Sequence, residues 1–169
     1  MNLSSPNQIV VMGVSGAGKS LIGSMLADQS GLQFIDGDDL HPKQNIEKMA
    51  RGVPLQDEDR WPWLDMCGEA LNNSSGAVLA CSALKRVYRD RIRSVAEGAF
   101  FIQLTGDKEL LLERMRNREH FMRPEMLDSQ LATLEPITDE EGFILDVSAA
   151  ETELVSEAIK RLVSYEKTL

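Results

Sequence analysis

Apolar and polar positions along the chain follow two rhythms. Short, mostly apolar runs fall at 9–12, 32–35, 77–81, 100–104 and 143–147. Their length suits strands, and the continuous run 77–81 suits a central parallel strand buried on both faces. Between them the period lengthens to three or four. Leu21, Ile22, Met25 and Leu26 share one helical face, as do Leu64, Cys67 and Leu71. Leu111 and Leu112 lie inward on a helix opened by Asp107, and a second helix is expected from about 125 to 134. The last helix turns Leu154, Ala158, Ile159, Leu162 and Val163 to the core. Gly31 reads as a C-cap, Pro42 as the first turn of a short helix over 43–49, and Asp57 as the N-cap of a longer one. Strands alternating with helices predict an α/β fold, a parallel sheet covered on both faces. No repeat, linker or low-complexity tract divides residues 1–169, so a single domain is expected.

Composition narrows the class. With 43% hydrophobic and 27% charged residues, the 169-residue chain reads as an ordinary globular domain. A net charge of -9 and a pI near 4.7 exclude a general nucleic-acid or anionic-membrane surface. Any anionic ligand must therefore be held by local basic groups. No apolar run approaches the ~20 residues of a membrane span, and residues 1–8 lack the pattern of a signal peptide. Cys67 and Cys81 are expected as reduced, buried thiols, and the protein as a cytoplasmic monomer or small oligomer.

The first apolar run leads into Gly13, Val14, Ser15, Gly16, Ala17, Gly18, Lys19 and Ser20, which match G-x-x-x-x-G-K-[ST] at every fixed position. Glycines let backbone N–H groups curl around phosphate oxygens, and the helix starting near Lys19 points its positive end at the same anion. Lys19 is expected to reach the β- and γ-phosphates of ATP, and the Ser20 hydroxyl to join a Mg²⁺ shell. Mg²⁺ is the only metal expected, since His41 and His120 are poorly accompanied.

Three further clusters bear on the reaction. Asp36 and Asp38 follow the second strand, at the sheet edge where α/β folds bind ligands. A kinase acting on a hydroxyl needs a carboxylate there to orient the oxygen and take its proton; the plainer reading is a solvated acidic turn. Arg60, Lys85, Arg86 and Arg89 are suited to hold an acidic substrate, or else form a solvated face. Arg114 and Arg118, with His120, stand where a segment interrupts a helix. An arginine swung over the phosphates stabilises developing charge, and a flap excludes water; the plainer reading is a helix end complementing its dipole.

Beyond these features, the chain resembles the gluconokinases. The resemblance is carried by G-V-S-G-A-G-K-S at 13–20, D-G-D-D-L-H-P at 36–42, N-I-E-K-M at 45–49, G-V-P-L-Q-D-E-D-R-W-P-W-L at 52–64 and C-S-A-L-K-R-V-Y-R-D at 81–90. H-F-M at 120–122 and L-x-S-Q-x-x-T-L-E at 127–135 complete it. It implies a three-layer P-loop kinase fold with a five-stranded parallel sheet, like adenylate and shikimate kinases. It also implies a substrate-binding helical region at about 40–70 and a lid at about 119–135. By the family pattern Asp38 stands at the accepting hydroxyl of D-gluconate, His41, Arg60 and Lys85 contact the sugar acid, and Arg118 comes from the lid onto the phosphates. Arg114 joins Arg118 on the ATP side. Family members are commonly cytoplasmic homodimers. Arg123 and the acidic run Asp139, Glu140 and Glu141 depart from the pattern. The rival readings are a related kinase for another small acid such as shikimate, a nucleoside-monophosphate kinase, and a nucleotide-dependent binding module that transfers nothing.

Overall fold

The computed structural model describes residues 5–116 and 124–166. Five parallel strands form one sheet: β1 (Gln8–Met12), β2 (Gln33–Asp36), β3 (Ala77–Ala80), β4 (Phe100–Thr105) and β5 (Gly142–Asp146). Their order across the sheet is β2-β3-β1-β4-β5. Seven helices connect or follow them among the described residues: α1 (Lys19–Ser30), α2 (Lys43–Ala50), α3 (Asp57–Asn72), α4 (Arg86–Val95), α5 (Lys108–Arg116), α6 (Pro124–Thr133) and α7 (Glu151–Glu166). The expected α/β class, five-stranded parallel sheet and three layers are all present.

Alternation along β1 shows how the layers form. Ile9 and Val11 point into a core shared with α1 and α7, through residues such as Leu26 and Ala158. Val10 and Met12 point into the opposite core, against Leu64 and Cys67 of α3 and Ile92 of α4. Successive strand side chains face opposite ways, so a strand covered on both sides must be apolar throughout. All four residues are fully buried.

Some helical faces differ from expectation. Leu21 is 51% exposed, whereas Ile22, Gly23, Leu26 and Ala27 are buried. A Cβ on Gly23 would lie 3.1 Å from the Phe34 ring. Its bare backbone lets α1 settle on β2 and β3, which turns the buried stripe away from Leu21. In α7 the stripe is Leu154, Val155, Ala158 and Leu162, and Val163 is exposed. Gln56, not Asp57, is the N-cap of α3. The Gln56 N–H donates to the Asp59 carboxylate at 2.8 Å, which leaves the Asp57 side chain available for other work.

Candidate active site

β1 is central, and its carboxyl end opens into the loop over 13–20. Gly13 N–H donates to the Ser82 carbonyl at 3.3 Å, which ties the loop to the segment leaving β3. Gly16 and Gly18 adopt φ of 84° and 89°, values that a side chain resists. No side chain caps the start of α1, and its first turn carries no acidic residue. The backbone there is thus arranged for an anion. Lys19 reaches back across the loop, with Nζ 3.1 Å from the Val14 carbonyl. These features fit the phosphates of a nucleotide. From α6, Gln130 Oε1 accepts the Ser15 N–H at 2.7 Å. Leu127 of the same helix is fully buried in the core, so this part of the expected lid is docked.

Ser20 Oγ lies 3.5 Å from Asp36 Oδ2, and Asp36 Oδ1 accepts the Asp38 N–H at 3.0 Å. Asp36 therefore ties the loop to the 3₁₀ turn Gly37–Leu40, which carries Asp38. The turn is pressed against the end of β3: a Cβ on Gly37 would stand 2.6 Å from the Ala80 carbonyl oxygen. Trp63 of α3, nearly fully buried, clamps it by donating Nε1–H to the Gly37 carbonyl at 2.7 Å. His41 ends the turn in extended backbone, as a residue before proline must. Its ring stacks on Trp63 with centroids 4.2 Å apart. Burial holds the His41 pKa below its usual value, Asp38 opposes this shift, and Arg60 adds to it. Asp38, His41 and Arg60 therefore share one electrostatic neighbourhood.

Arg60 and Lys85 converge on Asp57. Arg60 Nη1 is 3.4 Å from one carboxylate oxygen, and Lys85 Nζ is 4.0 Å from the other. Tyr88 donates its hydroxyl to Asp57 at 2.6 Å, and its ring lies beneath both cations at 5.4 and 5.6 Å. Burial and the bond to Asp57 push the Tyr88 pKa up to about 12. The tyrosine hydrogen bond, with the two cations, holds Asp57 below the usual carboxylate range. Neither Asp57 nor Tyr88 stood among the expected site residues, although both lie within the segments 52–64 and 81–90. Two cations on one carboxylate, beside a half-buried histidine, form a cluster with one positive charge in excess, chemistry suited to a further acidic group.

Arg89 does not belong to that cluster. It is fully buried, with Nε 2.9 Å from Glu141 and Nη1 donating to the Ala83 and Leu84 carbonyls at 2.9 and 3.1 Å. Ala83 sits at φ 44°, a left-handed conformation that costs of order 1 kcal/mol or more outside glycine. Arg89 thus pins the strained turn that delivers Lys85. Arg86 and Arg93 also face Glu141, at 3.7 and 3.0 Å, so the acidic run at 139–141 supplies a structural counterion. Burial pushes the Glu141 pKa up, but bonds from Arg89, Thr138 and Arg93 outweigh it and bring it to about 2, from an ordinary 4.5. A depressed carboxylate stabilises the fold fully above its unfolded pKa and loses that contribution as pH falls towards the folded one. Chemical denaturation of the wild type should therefore show stability falling between about pH 4.5 and 2. The Glu141→Gln variant should show a shallower limb, because Asp57 and other depressed carboxylates still contribute, and an equal slope in both proteins would remove Glu141 as a source.

Arg114 donates to the Val147 carbonyl at 2.6 Å, just beyond β5. Arg118 and His120 lie outside the described residues. Cys67 and Cys81 are buried free thiols, as expected. Among the described residues no cluster of three metal-ligating side chains occurs, and no helix is long and apolar enough to cross a membrane.

A family model described as Shikimate kinase matches residues 15–163. The thermosensitive gluconokinase of Escherichia coli strain K12 is 46% identical over 142 residues, which is 80% of this chain and 75% of that protein. The chain belongs to the gluconokinase family. A probable gluconokinase of Schizosaccharomyces pombe is 45% identical over 150 residues, covering 82% of this chain and 78% of that one. The crystal structure of a gluconokinase from Sinorhizobium meliloti 1021 superimposes with a TM-score of 0.89 at 46% identity, over 96% and 95% of the two chains. Family membership places the glycine loop in a nucleotide-using phosphotransferase.

Proposed function

We propose that the protein transfers the γ-phosphoryl group of ATP to the 6-hydroxyl of D-gluconate. The observation that carries this reading is the two-ended site. Asp38 is linked through Asp36 to the Ser20 hydroxyl of the phosphate loop. Arg60 and Lys85 meet on Asp57, with His41 between these ends. Gluconate has the matching layout: a terminal hydroxyl at one end and a carboxylate at the other. Holding the carboxylate fixes which hydroxyl reaches the donor.

In the proposed reaction the hydroxyl oxygen attacks the γ-phosphorus in line, the bond to the β–γ bridging oxygen breaks, and ADP leaves. Asp38 orients the hydroxyl and takes its proton. Lys19 and the loop amides hold the donor's phosphates. Ser20, with Asp36 beside it, is the group that would hold Mg²⁺, which supplies charge neutralisation when bound. Arg114 and Arg118 are assigned to the nucleotide side. The same reading carries a lid over about 119–135, a homodimer and a cytoplasmic location, and sedimentation analysis tests the oligomeric state.

ADP release measured with gluconate, shikimate and neutral sugar alcohols tests the function. Gluconate-dependent turnover is expected, and turnover with shikimate alone would overturn the assignment. A slow hydrolysis indifferent to every acceptor would point to a non-transferring module. The Lys85→Ala variant should raise KM for gluconate by about ten- to a hundredfold, the loss of one charge-assisted hydrogen bond, with little change in kcat. An unchanged KM would remove Lys85 from the carboxylate end.

A further inference from the structure

Asn45 is fully buried on α2, one turn beyond His41, and belongs to no part of the reaction described above. Its Nδ2 stands 2.9 Å from the Asp59 carbonyl oxygen and 3.2 Å from His41 Nδ1. A carbonyl oxygen can only accept, so the amide must turn its NH₂ towards Asp59. The second N–H of that NH₂ then points at His41 Nδ1, which must carry a lone pair. A neutral imidazole with a bare Nδ1 bears its proton on Nε2. Nε2 makes no hydrogen bond among the described residues, and it is not among the buried polar atoms left unpartnered. It is therefore open to solvent.

We propose that Asn45 is a positioning residue that locks His41 in the Nε2–H tautomer, so that His41 meets the sugar acid as a neutral hydrogen-bond donor to one of its hydroxyl oxygens. The role assigned to the substrate rests on the gluconate reading above; the tautomer does not. The arrangement around the ring agrees with neutrality. Trp63 stacks on one face, Asp38 approaches from the 3₁₀ turn, Arg60 from α3, and the Asp59 carboxylate is already paired with Lys48 at 2.8 Å. Asp38 is thereby left for the reacting hydroxyl, while Arg60 and Lys85 are left for the carboxylate. A donor without charge reads a hydroxyl without competing for either.

The decisive measurement is nitrogen NMR of the wild-type protein labelled at histidine, with the His41 signals assigned by comparison with His41→Gln. A pyridine-like Nδ1 and a pyrrole-like Nε2 at pH 7.5 are expected. A protonated Nδ1, or the averaged shifts of exchanging tautomers, would overturn the proposal whatever the protein phosphorylates. Kinetics then test the donor's use. Glutamine places an amide N–H near the Nε2 position and asparagine does not, so His41→Gln should raise KM for gluconate only a few-fold and His41→Asn by about tenfold or more. Equal losses would refute donation from Nε2. In Asn45→Asp the carboxylate draws a proton to Nδ1, so KM should acquire a pH dependence between about 6 and 8 that the wild type lacks. A flat profile in a variant shown to be folded by circular dichroism would refute the positioning role. If that variant does not fold, the wild-type spectrum and the two His41 variants decide.

Discussion

The Asp38→Asn variant is expected to retain ATP binding and lose about 10²- to 10⁴-fold in kcat, the usual contribution of a positioned base. The change is nearly isosteric, and the turn that holds residue 38 does not rely on its side chain. The Asp38 backbone N–H is held by Asp36, and the Gly37 carbonyl by Trp63. Folding and the loop over 13–20 should therefore survive intact. What disappears is an acceptor for the hydroxyl proton, replaced by an amide that donates as readily as it accepts. Steady-state kinetics together with nucleotide titration separate these effects. A kcat near that of the wild type would remove Asp38 from its role, and weakened nucleotide binding with the same kcat would move it to the donor side.

Arg89→Ala is expected to cost about 3–5 kcal/mol of stability, since it leaves Glu141 buried beside a lost partner and orphans two carbonyls. Both side chains of the pair are almost completely shielded, at 0% and 2% exposure, so little water can replace the missing guanidinium. Urea denaturation of the single variants and of Arg89→Met with Glu141→Gln completes the test. The double variant should recover part of the loss, because removing both charges avoids the uncompensated one. A cost below about 1 kcal/mol for Arg89→Ala would show that Arg86 and Arg93 satisfy Glu141 alone. Any folded Arg89 variant should also bind gluconate more weakly, since the turn at Ala83 and Leu84 presents Lys85.

Elements whose cause is local were legible in the chain itself. The strands buried on both faces are apolar because each side chain meets a layer of helices, and the glycine loop carries its chemistry in eight consecutive residues. What escaped depends on partners distant in sequence. Arg89 looked like one cation among several in a basic helix, and its counterion lies 52 positions away. A signal existed: Arg89 shares the buried face of α4 with Tyr88 and Ile92, which argues for an inward side chain. Asp57 has the residue type of a helix cap and stands where a cap was expected, yet Gln56 takes the position and Asp57 turns to Tyr88. The rotation of α1 that exposes Leu21 follows from Gly23 meeting the Phe34 ring, a contact between elements that no periodicity reveals.

On the proposed reading, Asp57 also limits what charge the Arg60 and Lys85 cluster accepts. With one carboxylate already between Arg60 and Lys85, the cluster is left with a single unit of positive charge. That balances a monoanionic sugar acid and falls short of a phosphate dianion. If gluconate binds as proposed, a phosphorylated product returning tail-first would be under-neutralised there, and the internal carboxylate would act against inverted occupancy.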